Sequence, residues 1–338
     1  MQRPREETQD AMEPLGKRSA AMPVSLSGLR SRGRAAGLLA GLLAVAVLSG
    51  CSVKRLAVDL MGNALAGDSD VFSSDDDPEL VREAIPFGLK TYESLLAISP
   101  DHQGLLLSTA KGFTAYAYLL QDEADRIDEQ DFSRARQLRA RAKRLYLRGR
   151  NYAIRGLELA HPKFVARLRR DQDSTVAETS GQDVPFLYWA AASWAGALSA
   201  GSDDLTLVSD IPLIGALVRR VVEVNEGYEA GAAHEFLVSY EARRPGGSAD
   251  RAREHFRRAL ELADAPRASV YLALAEGVSM PEQNLNEFKE LLATALAVDP
   301  DREPNLRLAN VVAQRRARWL LTRIPDLFLE TNLKEGAP

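Results

Sequence analysis

The segment ARQLRARAKRLYLRGRNYAIRG, residues 135–156, repeats small or apolar residues at spacings of three and four. The residues of this stripe are Ala135, Leu138, Ala142, Leu145, Gly149, Tyr152 and Gly156. That spacing places them on one face of an α-helix, where the small members allow a neighbouring helix to approach closely. Similar segments extend from Pro78 to the C-terminus, with almost no alternating strand-like runs between them. The pattern predicts an all-α chain.

The other faces of that helix are strongly basic. They carry Arg134, Arg136, Arg139, Arg141, Lys143, Arg144, Arg148 and Arg150. Such a set could bind nucleic acid or lipid headgroups, but a strongly acidic stretch, residues 122–131, lies directly before it. We therefore expect a solvated, salt-bridged surface. The formal net charge of −4 also argues against nucleic acid as a partner, because phosphate binding needs a positive surface field.

The first fifty residues have the pattern of an export signal. Arginines at positions 30, 32 and 34 precede the apolar run AAGLLAGLLAVAVLSG, residues 35–50, which is shorter than a permanent membrane span. The run ends in LSGC, which resembles the lipobox of bacterial lipoproteins, and Cys51 is the only cysteine. We expect cleavage before Cys51 and lipid on its thiol; the alternative is an uncleaved anchor with an incidental cysteine.

The chain then divides into four parts: 1–50, a signal peptide whose true start could be Met22; 51–77, a lipidated segment and linker; 78–330, the helical domain; and 331–338, a C-terminal tail. Ser52 follows the cysteine where an Asp would suggest retention at the inner membrane, so a periplasmic protein anchored to the outer membrane is expected. Asp77 and Pro78 predict the start of the helical domain, as a capping residue followed by a proline at the first helical position.

Three segments match the spacing of the second helix of a tetratricopeptide repeat. The matching residues are Gly88, Tyr92, Leu95 and Pro100; Ala252, Phe256, Ala259 and, displaced by two, Pro266; and Phe288, Leu292, Ala295 and Pro300. The intervals between them differ, so a regular superhelix is not expected. We predict irregular, tetratricopeptide-like hairpins stacked into a compact curved bundle.

Several spaced segments together resemble the TatT family, the tetratricopeptide-containing lipoproteins associated with TRAP transporters. They are DDDPELV (75–81), PFGLK (86–90), RLYLR (144–148), YW (188–189) with Trp194, GAAHEF (231–236), AREHF (252–256) and RRARWLL (315–321). The resemblance implies a periplasmic lipoprotein with a central pore or cavity, a homotrimer, and a partner in the transporter's periplasmic solute-binding subunit. It implies no catalytic residues; the lipid-bearing cysteine corresponds to Cys51.

Enzyme and metal signatures are near misses. His234 and Glu235 begin like a metalloprotease helix, but Val238 stands where the second histidine would be. With four histidines and no carboxylates clustered around them, we expect no metal site and no cofactor. A hydrolase that uses His234 and Glu235 is the remaining enzymatic hypothesis, and it predicts loss of turnover in His234→Ala. We expect the protein not to be an enzyme.

Two groups of residues are candidates for binding a small amphipathic ligand such as an organic acid. The first comprises Tyr188, Trp189 and Trp194; the second comprises Asn225, Glu226, Tyr228, His234 and Glu235, around the breaks at Gly227 and Gly231. Aromatic rings with one polar edge suit such a pocket, although the same residues could be ordinary core. The predicted function is an accessory of a TRAP-type uptake system that binds the solute-binding subunit. The alternative is a general scaffold lipoprotein of the outer membrane without its own ligand.

Overall fold

The computed structural model describes residues 55, 57–63 and 71–329, and every regular element in these ranges is helical. The all-α prediction is confirmed. The predicted signal peptide, Cys51 with Ser52, and the tail from 331 to 338 lie outside the described residues. Within the described ranges, no helix combines the length and the apolar character needed to cross a bilayer.

Residues 57–63 are helical, and a series of helices follows. These are α1 (Pro78–Leu96), α2 (Gln103–Ile127), α3 (Phe132–Ala160), α4 (Phe164–Arg170), α5 (Gln172–Ala177), α6 (Val184–Ala200), α7 (Leu205–Ser209), α8 (Ile211–Asn225), α9 (Ala232–Arg243), α10 (Ala249–Leu262), α11 (Ala268–Leu274), α12 (Leu285–Ala297), α13 (Arg307–Thr322) and α14 (Ile324–Leu327). A π-helical turn, Ala275–Ser279, continues α11, and a short 3₁₀ turn, Pro304–Leu306, precedes α13.

Helix α1 begins where the sequence predicts. The side chain of Asp77 accepts hydrogen bonds from the backbone N–H groups of Glu79 and Leu80, both at 3.0 Å, and Pro78 is the first helical residue. Capping satisfies N–H groups that have no partner within the helix, and proline has no N–H to satisfy. The boundary therefore follows from local chemistry alone.

The small-residue stripe of α3 is buried between α2 and α6. Gly149 lies close to α2, where an added Cβ would be 3.0 Å from the carbonyl oxygen of Ala110 and from Thr114 Oγ1. Thr114 Oγ1 in turn lies 2.6 Å from Ser193 Oγ of α6. Three helices thus meet at one short-range contact, which fixes the N-terminal part of the molecule.

The helices form a closed circuit. Neighbouring elements pack in the order α1, α2, α3, α6 and α8, continue through α9, α10, α11 and α12, and reach α13. Helix α13 then returns to the start: Val312 is buried in the same core as the first helices, and the Leu308 N–H donates to the Ser73 carbonyl at 2.9 Å. The first and last parts of the described domain are therefore joined.

Several residues of the predicted repeat matches lie on buried helix faces, whereas Gly88 and Tyr92 are half-buried and Pro100 is exposed. Phe288, Leu292 and Ala295 of α12 are fully buried, as is Ala252 of α10, and Phe256 packs beside it. Burial is what the repeat spacing requires of these positions. Whether the hairpins are tetratricopeptide repeats, and whether the circuit encloses a pore, stays a prediction.

Candidate functional site

The structure brings together members of both predicted ligand-binding groups. Tyr188 and Trp189 lie on α6, and Tyr228 lies in the turn between α8 and α9. The ring centroids of Tyr188 and Tyr228 are 5.5 Å apart, and those of Tyr188 and Trp189 are 5.4 Å apart. All three rings are half-buried. We call these three residues the aromatic cluster.

An unusual turn, residues 226–231, holds Tyr228 in this position. Glu229 and Ala230 have positive φ angles of 42° and 52°, a conformation that costs side-chain-bearing residues on the order of 1 kcal/mol or more each. Gly231 follows at φ 83°. Lys111 Nζ lies 3.0 Å from Glu229 Oε1, and the Tyr228 hydroxyl donates to that same oxygen at 3.0 Å. Contacts from neighbouring side chains therefore stabilise a strained turn at the cluster.

Charges of both signs surround the aromatic cluster. Lys111 Nζ lies 5.4 Å from the Trp189 ring centroid, a cation–π distance. Arg267 lies 3.6 Å from a Glu235 carboxylate oxygen and also hydrogen-bonds the Glu229 carbonyl. The cluster therefore offers aromatic surface beside two cations, the combination that suits an amphipathic acid.

The phenols of the cluster are neutral at pH 7, as tyrosine is in water, and burial makes them harder to ionise. Desolvation raises the pKa of both Tyr188 and Tyr228 far above the usual value, and the nearby carboxylate of Glu229 raises both further. A neutral phenol both donates and accepts a hydrogen bond. These hydroxyls can therefore orient a polar group without adding charge to the site.

Tyr118 of α2 lies among charged groups from several helices. The residue is 43% exposed, and desolvation is the largest cause that raises its pKa. The charges that act on it are Arg316 of α13, Asp122 of α2, Glu276 of the π turn and Glu235 of α9. Glu235 also raises the pKa of Tyr188, so its charge acts on both tyrosines.

The chain was compared with known proteins. The family model described as "TRAP transporter T-component" matches residues 74–328. The chain belongs to the TRAP transporter T-component family. It is also 29% identical, over 304 residues, to an uncharacterized protein of Treponema pallidum (strain Nichols), a match that covers 83% of this chain and 94% of that protein.

The region matched by the T-component family contains the whole circuit of helices from α1 to α13, including the aromatic cluster and Tyr118. The family resemblance that the sequence indicates is therefore confirmed. Membership associates the chain with TRAP-type transport and with a family of transporter accessories.

The other predicted ligand-binding residues of this T-component chain are placed differently. Trp194 is fully buried, with the guanidinium groups of Arg150 and Arg169 at 4.8 and 5.8 Å from its ring centroid. Asn225 is the exposed last residue of α8. His234 is buried on α9 and faces α10, so it lies apart from the aromatic rings.

The carboxylate that contacts His234 is not Glu235. His234 Nε2 lies 3.0 Å from Glu226 Oε1, whereas Glu235 faces Arg267. The described residues also contain no group of three or more His, Cys, Asp or Glu side chains arranged to hold a metal ion. The pairing assumed by the hydrolase hypothesis is thus absent from the described residues.

Sequence reasoning missed four residues of the site. Lys111 and Tyr118 lie on α2, Glu229 lies in the turn before α9, and Arg267 directly precedes α11; they have no common motif. A signal was available only for Glu229, which lies between Gly227 and Gly231 in a segment that breaks the helical pattern. The others reach the site only because the helices form a circuit.

Proposed function

We propose that this protein is a periplasmic lipoprotein, anchored to the outer membrane by lipid on Cys51, that assists a TRAP-type uptake system by binding its solute-binding subunit. The family match over residues 74–328 is the observation that carries this proposal. The lipobox-like sequence that ends at Cys51 supports the anchor. The resemblance also implies a homotrimer, which we include in the proposal.

The proposed ligand is a small amphipathic organic acid, held at the aromatic cluster inside the circuit of helices. Tyr188, Trp189 and Tyr228 would contact its apolar part. Lys111 or Arg267 would bind its carboxylate in exchange for the present partners, Glu229 and Glu235. Support comes from the half-buried rings, from the cation 5.4 Å from the Trp189 centroid, and from the strained turn at Tyr228. Backbone strain of this kind is concentrated at functional sites.

Tryptophan fluorescence tests the ligand. We expect octanoate to change the emission of the purified full chain in detergent, because Trp189 lies in the proposed site. Trp189→Phe should abolish this change, whereas Trp319→Phe, on α13 between Arg316 and Arg323, should retain it. If neither octanoate nor shorter and longer carboxylic acids alter the emission at any concentration below the micellar range, the ligand proposal is wrong.

The partner is tested by affinity purification. The lipidated full chain, solubilised in detergent, should retain a TRAP solute-binding subunit from periplasmic extract of its own organism. Mass spectrometry of the eluate identifies the retained proteins. Recovery of envelope-assembly proteins without any solute-binding subunit would support the scaffold alternative and contradict the adaptor role.

A further inference from the structure

A pocket of about 470 Å³ lies between α8, α9 and α10. Leu237 contributes apolar surface, and Arg219, Glu241, Arg251 and His255 contribute polar groups. Nothing in the proposed transport role uses these side chains. The volume is sufficient for a small organic molecule.

A chain of hydrogen bonds ends at this pocket. Arg258 binds both carboxylate oxygens of Glu226 at 2.7 Å, and Glu226 Oε1 lies 3.0 Å from His234 Nε2. His234 Nδ1 then lies 2.9 Å from Nδ1 of His255, which lines the pocket. The chain therefore connects a fixed carboxylate to a pocket residue through two imidazoles.

The direction of these bonds assigns the protons. A carboxylate only accepts, so the proton on His234 is at Nε2 and its Nδ1 accepts a hydrogen bond from His255 Nδ1. His255 then has its lone pair at Nε2. No described residue makes a hydrogen bond to that atom. His255 is thus held as a tautomer with a free proton acceptor.

The two histidines differ in their capacity to take a second proton. A proton on His234 Nδ1 would place two N–H donors opposite each other across 2.9 Å. A proton on His255 Nε2 leaves the existing bond intact. Protonation is therefore directed to His255.

The pocket also contains an unpaired cation. Glu241 accepts from Arg244 at 2.8 and 2.9 Å and from Arg251 at 2.8 Å, so these arginines are neutralised. Arg219 is exposed, and no carboxylate of the described residues lies within 4 Å of it. Its guanidinium is therefore available to bind an anion.

Charged groups face His255 from each helix packed around it. Helix α10, which carries His255, contributes Arg251, Glu254 and Arg258. Helix α9 contributes His234 and Glu241, and Arg244 follows directly after it. Helix α8 contributes Arg219 and Glu223, which is paired with Arg220, and the turn between α8 and α9 contributes Glu226. Burial lowers the pKa of His255, and a charge on His234 would lower it further, so the pocket holds a neutral imidazole at pH 7.

We propose that this pocket binds a small carboxylate anion at Arg219 and that His255 takes up one proton at Nε2 from solvent as the anion binds. The anion and the imidazolium stabilise each other, so anion affinity increases as the pH falls. No covalent bond forms or breaks. The inference depends neither on TRAP transport nor on the aromatic cluster.

Calorimetry of the purified full chain in detergent tests this proposal, with acetate, succinate and citrate as probes. Titrations at pH 5.5 and 7.5 should show tighter binding at pH 5.5. The binding enthalpy should also be measured in two buffers with different enthalpies of ionisation. Uptake of one proton predicts that the two binding enthalpies differ by the difference between the two ionisation enthalpies. Succinamide, which has the size of succinate without its charge, should not bind.

Three variants locate the site. Arg219→Gln should weaken anion binding by roughly tenfold or more, because it removes a charge-assisted hydrogen bond. His255→Asn keeps an N–H donor near the Nδ1 position and removes Nε2, so it should abolish proton uptake and the pH dependence. Arg257→Gln, an equal charge change on the exposed face of α10, should bind like the parent protein.

Each contrary result overturns the proposal. These results are the absence of binding by all three anions, equal binding of succinamide and succinate, heats that do not depend on the buffer, or equal losses in Arg257→Gln and Arg219→Gln. Because Arg219 is exposed on α8, its replacement should leave the fold intact, and a circular dichroism melt verifies this.

Discussion

Two glycines determine how closely α3 and α6 approach each other. A Cβ added at Gly196 of α6 would lie 2.3 Å from the ring of Tyr146, and one added at Gly156 of α3 would lie 2.2 Å from the ring of Phe186. Both rings are buried, so neither can move aside without disturbing its neighbours. The approach of these helices depends on the missing side chains.

Gly196→Ala should lower the free energy of unfolding by about 1–3 kcal/mol, because the added methyl group overpacks the contact with Tyr146. Urea denaturation of the full chain measures the change. The control is Gly181→Ala, where no atom lies within 4 Å of the added Cβ and the expected change is within about 0.5 kcal/mol. Equal unfolding midpoints for the two variants would contradict the packing argument.

Helical geometry explains which predicted residues meet at the site. Trp189 and Trp194 are five positions apart, which is about 140° around a helix, so they cannot face the same space. The structure accordingly places Trp194 in the core, whereas Trp189 stays with Tyr188. The same reasoning separates His234 from Glu235. The sequence contained this information, but grouping residues by proximity along the chain did not use it.

Ion pairs join α13 to α2. Asp122 of α2 is fully buried; its Oδ2 accepts from Arg315 at 2.8 Å and from Arg126 at 3.1 Å. Arg316 pairs with Asp125 at 3.1 Å and with Glu276 at 2.6 Å. Because these arginines come from the last long helix, the pairs close the circuit. Removing Asp122 would leave Arg126 without its carboxylate and Arg315 with Glu79 alone, whereas Arg316 would keep Asp125 and Glu276.

Asp122→Ala should reduce stability by about 1–3 kcal/mol, because Arg126 loses its partly buried carboxylate partner and Arg315 keeps only Glu79. Chemical denaturation provides the measurement. Asp326→Ala removes the same group from an ion pair with Arg323 whose carboxylate is 59% exposed, and it should cost less than about 1 kcal/mol. Similar losses in both variants would mean that burial of the Asp122 network is not what stabilises the closure.

The sequence predicted the helices better than the contacts between distant helices. The capped start of α1 and the buried stripe of α3 follow from local spacing, and Arg139 pairs with Asp125 and Asp128 as expected for a salt-bridged surface. Arg315, however, meets Asp122 from 193 residues away. Charge complementarity has no periodicity, so local patterns cannot identify such partners.

The stability of the whole molecule should depend on pH through the two histidines between α9 and α10. Burial lowers the pKa of both His234 and His255, so the unfolded chain binds protons more readily than the folded chain below about pH 6.5. Their contribution is complete above that pH and is lost as the pH falls. Contacts with Arg258 lower the pKa of Glu226 to about 2, so its contribution is lost only in stronger acid.

Melting temperatures measured from pH 7.5 to pH 5 should therefore decrease, and His255→Asn should make the decrease shallower. Differential scanning calorimetry in a non-coordinating buffer without carboxylates provides the comparison, since an anion bound in the pocket would oppose the trend. A melting temperature that is constant over this range, or an equally steep decrease in the variant, would show that the histidine pair does not control acid stability.

The ion pairs at Asp122 also have a consequence for the order in which the molecule is completed. A ribosome that adds roughly 5–20 residues per second needs on the order of 10–40 s to proceed from Asp122 to Arg315. Wherever the helices fold, Asp122 can pair only with Arg126 of its own helix until α13 is available. Closure of the circuit must therefore come after synthesis of the last long helix.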